Sequence, residues 1–180
     1  VVPVCPEMLG GLSCPRIPCE KVGDKIMDKE GNDCTKQFIK VYQILVNNRA
    51  FHKMVTDGVD IATREDNRNV TKKVWLFDFE HPQNNEFLAV NQFTVIEGKE
   101  NKRPDVILFI NGLPLVIFEL KSSSNEKVGT TEAYNQFQTY KQAIPGLFNF
   151  NEVLIISDGW NAKAGTISSN EERFMTWRTT

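Results

Sequence analysis

Apolar positions change their period several times along the chain, and each change marks an element. Phe38, Val41, Tyr42, Leu45 and Val46 recur at helical spacing, which predicts an amphipathic helix over 35–56 that pauses near Asn47-Asn48 and resumes to Met54. Short apolar stretches then predict strands over 58–64, 74–79 and 87–96, the last including Asn91-Gln92-Phe93. Between them lie a polar turn at 65–69, a loop at 82–85 and a charged turn at 97–102. Residues 103–121 read as two apolar strands joined by Asn111-Gly112, a strong short-range signal for a hairpin. A helix over 131–143 follows, with Thr130 or Thr131 as its cap, Glu132 at its N-terminal dipole and Pro145-Gly146 as its stop. The continuous apolar run at 152–157 predicts a strand buried on both faces, ending in an Asp158-Gly159 turn. An edge strand is expected over 162–167 and a terminal helix or tail over 174–177. The first 35 residues, rich in Pro, Gly and Cys, predict loop and turn with one short helix.

The charges of the central hairpin break its apolar pattern. Asp105, Glu119 and Lys121 sit within or beside strands that otherwise look buried, where an unpaired charge is very costly. Glu119 and Lys121 share a face in any register, because strand side chains alternate with period two. A two-residue loop puts Asp105 and Glu119 on opposite faces; an odd-numbered loop puts them together. We therefore expect a three-residue loop, either Ile110-Asn111-Gly112 with Gly112 at positive φ or Asn111-Gly112-Leu113. Two acids on one face, with the Leu120 carbonyl, suit Mg2+, a hard cation that takes oxygen ligands. A lysine two residues beyond the second acid can orient an attacking water and offset charge on a phosphate in transition. Taken alone, the pattern equally describes an exposed strand end carrying a salt bridge. Gln136 and Tyr140 lie one turn apart on the following helix, a spacing that any amphipathic helix can carry.

At 180 residues the chain suits one domain with an appendage, long enough for a sizeable core. Its net charge of −2 creates no basic field, so any nucleic acid must be held by local groups such as Lys99, Lys102, Arg103 and Lys127. The apolar runs are too short to span a bilayer, and residues 1–6 lack the marks of a secretion signal, so a cytoplasmic setting and no membrane contact are expected. His52 and His81 are the only histidines and read as surface or capping residues, which disfavours mechanisms that need a catalytic histidine. A Gly-x4-Gly-Lys-Ser/Thr phosphate loop does not occur, so no ATP motor is expected within these residues. Cys5, Cys14, Cys19 and Cys34 all fall in the first 34 residues, at spacings that match no standard zinc pattern. That shift suggests two origins for the chain.

Two resemblances sharpen this reading. Val4-Cys5-Pro6-Glu7, Leu9-Gly10-Gly11-Leu12, Pro15-Arg16, Glu20 and Gly31-Asn32-Asp33 resemble the middle of a bacterial iron–sulfur family that includes thiouracil desulfidases. The resemblance implies that Cys5 is one of three ligands to a 4Fe–4S cluster, but the rest of that family's pattern does not occur, which favours a fused remnant over a working cluster. From about residue 51 to 177 the chain resembles the N-terminal nuclease domain of the R subunit of type I restriction enzymes. The matching pieces include Asp57-Gly58-Val59, Asn84-Asn85-Glu86-Phe87, Asn91-Gln92-Phe93, Arg103-Pro104-Asp105, Asn111-Gly112-Leu113-Pro114-Leu115, Glu119-Leu120-Lys121, Tyr140-Lys141 and Arg173-Phe174-Met175-Thr176-Trp177.

This second resemblance implies an α/β fold of the PD-(D/E)xK nuclease type, a mixed central sheet flanked by helices, here with an irregular N-terminal appendage. It places Asp105, Glu119 and Lys121 on catalytic positions and Gln136 and Tyr140 on a Gln-x3-Tyr element that supports the site and approaches DNA. It implies Mg2+ as cofactor, with ATP used only by motor domains that these residues do not include. The implied partners are double-stranded DNA and the modification (M) and specificity (S) subunits. The expected division is a desulfidase-like remnant at 1–35 and a nuclease domain at 36–180. The expected activity is that of a type I site-specific deoxyribonuclease. An inactive DNA-binding or subunit-docking remnant and an iron–sulfur desulfidase-type enzyme are the alternatives.

Overall fold

The computed structural model describes residues 2–3, 20–22, 24–27, 31, 33, 35–65, 67–121, 126–158 and 161–177. Cys5, Cys14, Cys19 and Cys34, and with them the cluster expectation, lie outside the described residues, as do Gly159 and the side chain of Lys127. Where loop and a short helix are expected, the described N-terminal pieces pair as a small antiparallel sheet of β1 (Val2–Pro3), β2 (Glu20–Val22) and β3 (Lys25–Met27).

Helix α1 (Thr35–Asp57) starts where Asp33 accepts bonds from the Thr35 amide at 3.1 Å and hydroxyl at 2.6 Å. Those bonds, ahead of the nearby Lys25, hold the Asp33 carboxyl down at about 2. The helix runs without the expected pause. Asn47 and Asn48 do not break it, because their amides reach outward to Asn149 and to the carbonyls of Phe148 and Asn151. The polar pair is a tie between elements. Strands β4 (Val59–Glu65) and β5 (Arg68–Val74) form a separate hairpin. Residues 75–79 are not a strand, because Phe77 turns into the core and the Asn111 amide holds the Leu76 carbonyl at 2.9 Å.

The expected strand over 87–96 is split into β6 (Phe87–Asn91) and β7 (Val95–Glu97), and β7 pairs with β8 (Glu100–Lys102). Strands β9 (Val106–Ile110) and β10 (Leu113–Leu120) form the central hairpin. Helix α2 (Glu126–Ala143) begins before the expected cap, leaving Thr130 buried inside it. It ends at a 3₁₀ turn, Pro145–Phe150, whose Gly146 amide donates to Glu97 at 2.9 Å. Strands β11 (Val153–Ser157), β12 (Ala162–Gly165) and β13 (Met175–Thr176) complete the main sheet. The terminal helix or tail expected at 174–177 is therefore a short strand, and β12 is not an edge.

The main sheet has six strands in the order β13-β12-β11-β10-β9-β6. Only β10 and β11 are parallel, so the sheet is mixed, and α2 makes the long connection that a parallel pair requires. One face carries Ile107, Ile117, Leu154 and Ile156, packed against Phe137 of α2, Ile144 just after it, and Ile44 and Leu45 of α1. A smaller cluster joins Phe51, Phe77 and Leu115. Strand β11 is buried on both faces through its middle, as its apolar run suggests, with Leu154, Ile155 and Ile156 all buried. Leu154 and Ile156 are sealed under α2, whereas Val153 and Ile155 line an open apolar depression of about 350 Å3 with Leu108, Phe118 and Trp177. Among the described residues, no helix is long and apolar enough to cross a membrane.

Candidate functional site

The turn of the central hairpin corrects the expected loop. Ile110 pairs with Leu113, so the loop is the two-residue Asn111-Gly112 turn, with φ of 50° and 78° as a type I′ turn requires. On that count alone Asp105 and Glu119 would face apart. The register shifts once more, however, between Pro114, paired with Phe109, and Val116, paired with Leu108. Leu115 is the extra residue of a β-bulge, and its side chain enters the smaller cluster with Phe51 and Phe77. The bulge restores the parity that the short turn removes. Beyond it Ile117 pairs with Ile107 and Phe118 with Val106, so Glu119 comes opposite Asp105 at the open end of the hairpin.

Asp105 is held at both oxygens. Oδ1 accepts the Gln92 side-chain amide at 2.8 Å, and Oδ2 accepts the Leu120 backbone N–H at 2.8 Å. Glu119 is 3% exposed; its Oε1 accepts Lys121 Nζ at 3.0 Å, and its Oε2 is buried without a hydrogen-bond partner. Burial above all, and then the negative charge of Asp105, push Glu119 above the usual carboxylate range against the pull of Lys121 and Tyr140. From α2, the Tyr140 hydroxyl donates to the Arg103 carbonyl at 3.3 Å. Burial and the facing Glu119 and Asp105 carboxylates raise the phenol, so Tyr140 stays a proton-bearing donor. Gln136, one turn earlier and half-buried, stands beside it.

The fold thus brings Asp105, Glu119, Lys121 and Tyr140 together at the open end of the hairpin, with Gln136 beside Tyr140. Among the described residues no three His, Cys, Asp or Glu side chains cluster as a metal site, so a cation here would rest on two carboxylates. That suits a hard cation that keeps several waters, and the unpartnered Glu119 Oε2 is an acceptor in need of a positive neighbour. Of the basic groups read from the sequence, Arg103 is exposed immediately before Pro104-Asp105, Lys99 is exposed, and Lys102 pairs with Glu100 at 3.3 Å. His52 and His81 lie at the surface against Glu152 and Asp78. Gln92 is the site residue that sequence reasoning missed. Its signals were an Asn-Gln pair interrupting an otherwise apolar strand and its place in the matching piece Asn91-Gln92-Phe93.

Residues 17–173 match the family described as Type I restriction enzyme R protein N terminus. Over 136 residues the chain is 45% identical to the type I restriction enzyme HindI endonuclease subunit of Haemophilus influenzae, covering 75% of this chain and 13% of that protein. Over 142 residues it is 33% identical to the type I restriction enzyme SauMSSORF170P endonuclease subunit of Staphylococcus aureus, covering 78% of this chain and 14% of that protein. The chain therefore spans a small part, 13% and 14%, of the length of these two relatives.

Proposed function

The chain belongs to the type I restriction enzyme R protein N-terminus family, and on that premise we propose that its Asp105–Glu119–Lys121 site hydrolyses phosphodiester bonds of double-stranded DNA with Mg2+. The observation that carries this reading is the bulge-set pairing of the two acids, with Lys121 drawn to Glu119 and Glu119 Oε2 left unpartnered. In this reading the core is a PD-(D/E)xK nuclease fold formed by residues 36–180. Asp105, Glu119 and the Leu120 carbonyl hold the cation, which supplies Lewis-acid stabilisation to the scissile phosphate. Lys121 orients the attacking water and offsets charge that develops on the phosphate. Tyr140, kept protonated, and Gln136 brace the acids from α2 and face the DNA. An inactive remnant would be favoured by a lysine turned away from the acids, and Lys121 is turned toward Glu119. ATP-driven movement belongs, in this reading, to parts of the R protein that the chain does not span, and the M and S subunits supply sequence choice.

Nicking of supercoiled plasmid with Mg2+ or Mn2+, wild type beside Lys121→Ala, tests the proposal. We expect metal-dependent nicking that falls by about 100-fold or more in the variant, the scale of a lost group acting on the proton or charge in flight. Equal nicking by both proteins would remove Lys121 from the mechanism.

A further inference from the structure

Three non-glycine residues have positive φ among the described residues: Asn67, Gln92 and Asn111. Asn67 and Asn111 lie in the tight turns of β4–β5 and β9–β10, and asparagine tolerates that conformation. Gln92, at φ 52°, lies in no such turn; it stands where β6 ends, at a bend that breaks off an otherwise apolar strand. A left-handed backbone at an ordinary residue persists only where its surroundings impose it, and here they point to one neighbour. The Gln92 N–H donates to the Asp105 carbonyl at 2.9 Å, and the Gln92 side-chain amide donates to Asp105 Oδ1 at 2.8 Å. Both of these bonds end on Asp105.

We propose that Gln92 is a positioning residue that fixes the Asp105 carboxylate for cation binding, an inference that rests on the site reading given above. Each carboxylate oxygen can accept two bonds, and Gln92 and the Leu120 N–H take one on each. The carboxylate is thereby held in one orientation with acceptor capacity left on both oxygens. Removing the Gln92 amide frees it to rotate about the remaining Leu120 contact. The main-chain bond survives any side-chain change, so the strand pairing that brings Asp105 to Glu119 is retained. The broken bond is solvent-exposed, so water replaces the lost donor and no buried group is left unsatisfied, which separates a positioning role from a structural one.

The test is Mn2+ titration of the whole chain without DNA, followed by electron paramagnetic resonance, for wild type, Gln92→Met and Asp105→Asn. Methionine keeps the length of the side chain and removes its donor. Loss of a bond that orients a metal-ligating carboxylate weakens affinity by about tenfold, and that is the expected shift for Gln92→Met, with an unchanged unfolding midpoint. Asp105→Asn is expected to abolish the same binding. If Asp105→Asn abolishes binding and Gln92→Met leaves it within about twofold of wild type, well short of the expected loss, the positioning role is overturned and the site reading stands. If the wild type does not bind Mn2+, or neither substitution changes the binding, the site reading fails and this inference falls with it. Should Gln92→Met not fold, Gln92→Asn suits the left-handed backbone, leaves the amide one methylene short, and is judged by the same comparison.

Discussion

Glu119 keeps one oxygen against Lys121 and leaves the other without a hydrogen bond, with Tyr140 nearby, in a position 3% exposed. A buried acceptor without a donor costs about 1–3 kcal/mol, so this residue lowers the stability of the fold that holds it. Its raised pKa has the same origin, since burial opposes the ionised form. In the pH range above an ordinary carboxylate value, the folded state retains a proton that the unfolded state has released. Stability is therefore full at low pH and is lost as pH rises through the folded pKa. Glu119→Gln removes that loss. We expect it to abolish nicking and to raise the unfolding temperature at pH 8 by roughly 2–4 °C, about 1 kcal/mol for a chain of this size. The gain should shrink at pH 5, where wild-type Glu119 is more protonated. Thermal unfolding at both values checks this, and a variant less stable at both would show that the Lys121 contact outweighs the burial. The shared face of Glu119 and Lys121 was legible in the sequence because period two needs no partner strand. Gln92 was not, because its role lies in a backbone angle and a contact with Asp105 thirteen residues away.

The central hairpin shows how an element can be read correctly and its register missed. Asn111-Gly112 announced the turn, and the two apolar strands announced the pairing. The parity of the acids depends instead on Leu115, which is pulled out of register by packing against Phe51 and Phe77 from distant parts of the chain. Pro114 was the available signal, because a proline inside a strand favours a bulge or an edge. Helix α2 holds a second charge whose setting the sequence did not reveal. Lys141 is 3% exposed, donates to the Ile167 carbonyl at 2.7 Å, and is brought by burial down to about 8. Between about 8 and the ordinary 10.5, the unfolded chain holds a proton that the folded chain has released, so stability rises with pH across that window. Lys141→Met lacks this dependence. Urea unfolding at pH 7.5 and pH 10 should show wild type gaining about 2–3 kcal/mol relative to the variant, and parallel curves would show that Lys141 does not titrate as its burial demands.

Across the whole molecule, the mixed sheet and its helices follow from element order, which is why the architecture was legible although several boundaries were not. Residues 87–96 and 174–177 depart from their local pattern because what decides them is pairing with distant strands and the bond from Gln92 to Asp105. The same global view bears on the proposed division at residue 36. The family match begins at residue 17, yet the buried clusters draw no described side chain from before Ile44. Helix α1 is a different matter, since it supplies Ile44, Leu45 and Phe51 to the two clusters. Removing a large buried apolar side chain costs about 2–5 kcal/mol, so losing three approaches or exceeds the roughly 5–15 kcal/mol that stabilises a domain. A chain beginning at Gly31, which keeps the Asp33 bonds to Thr35, should unfold cooperatively within about 4 °C of the full chain. A chain beginning at Gly58 should show no cooperative transition. Calorimetry of the two truncations decides the matter: loss of the transition in the Gly31 chain would make the first thirty residues part of the folding unit and move the proposed boundary to their start.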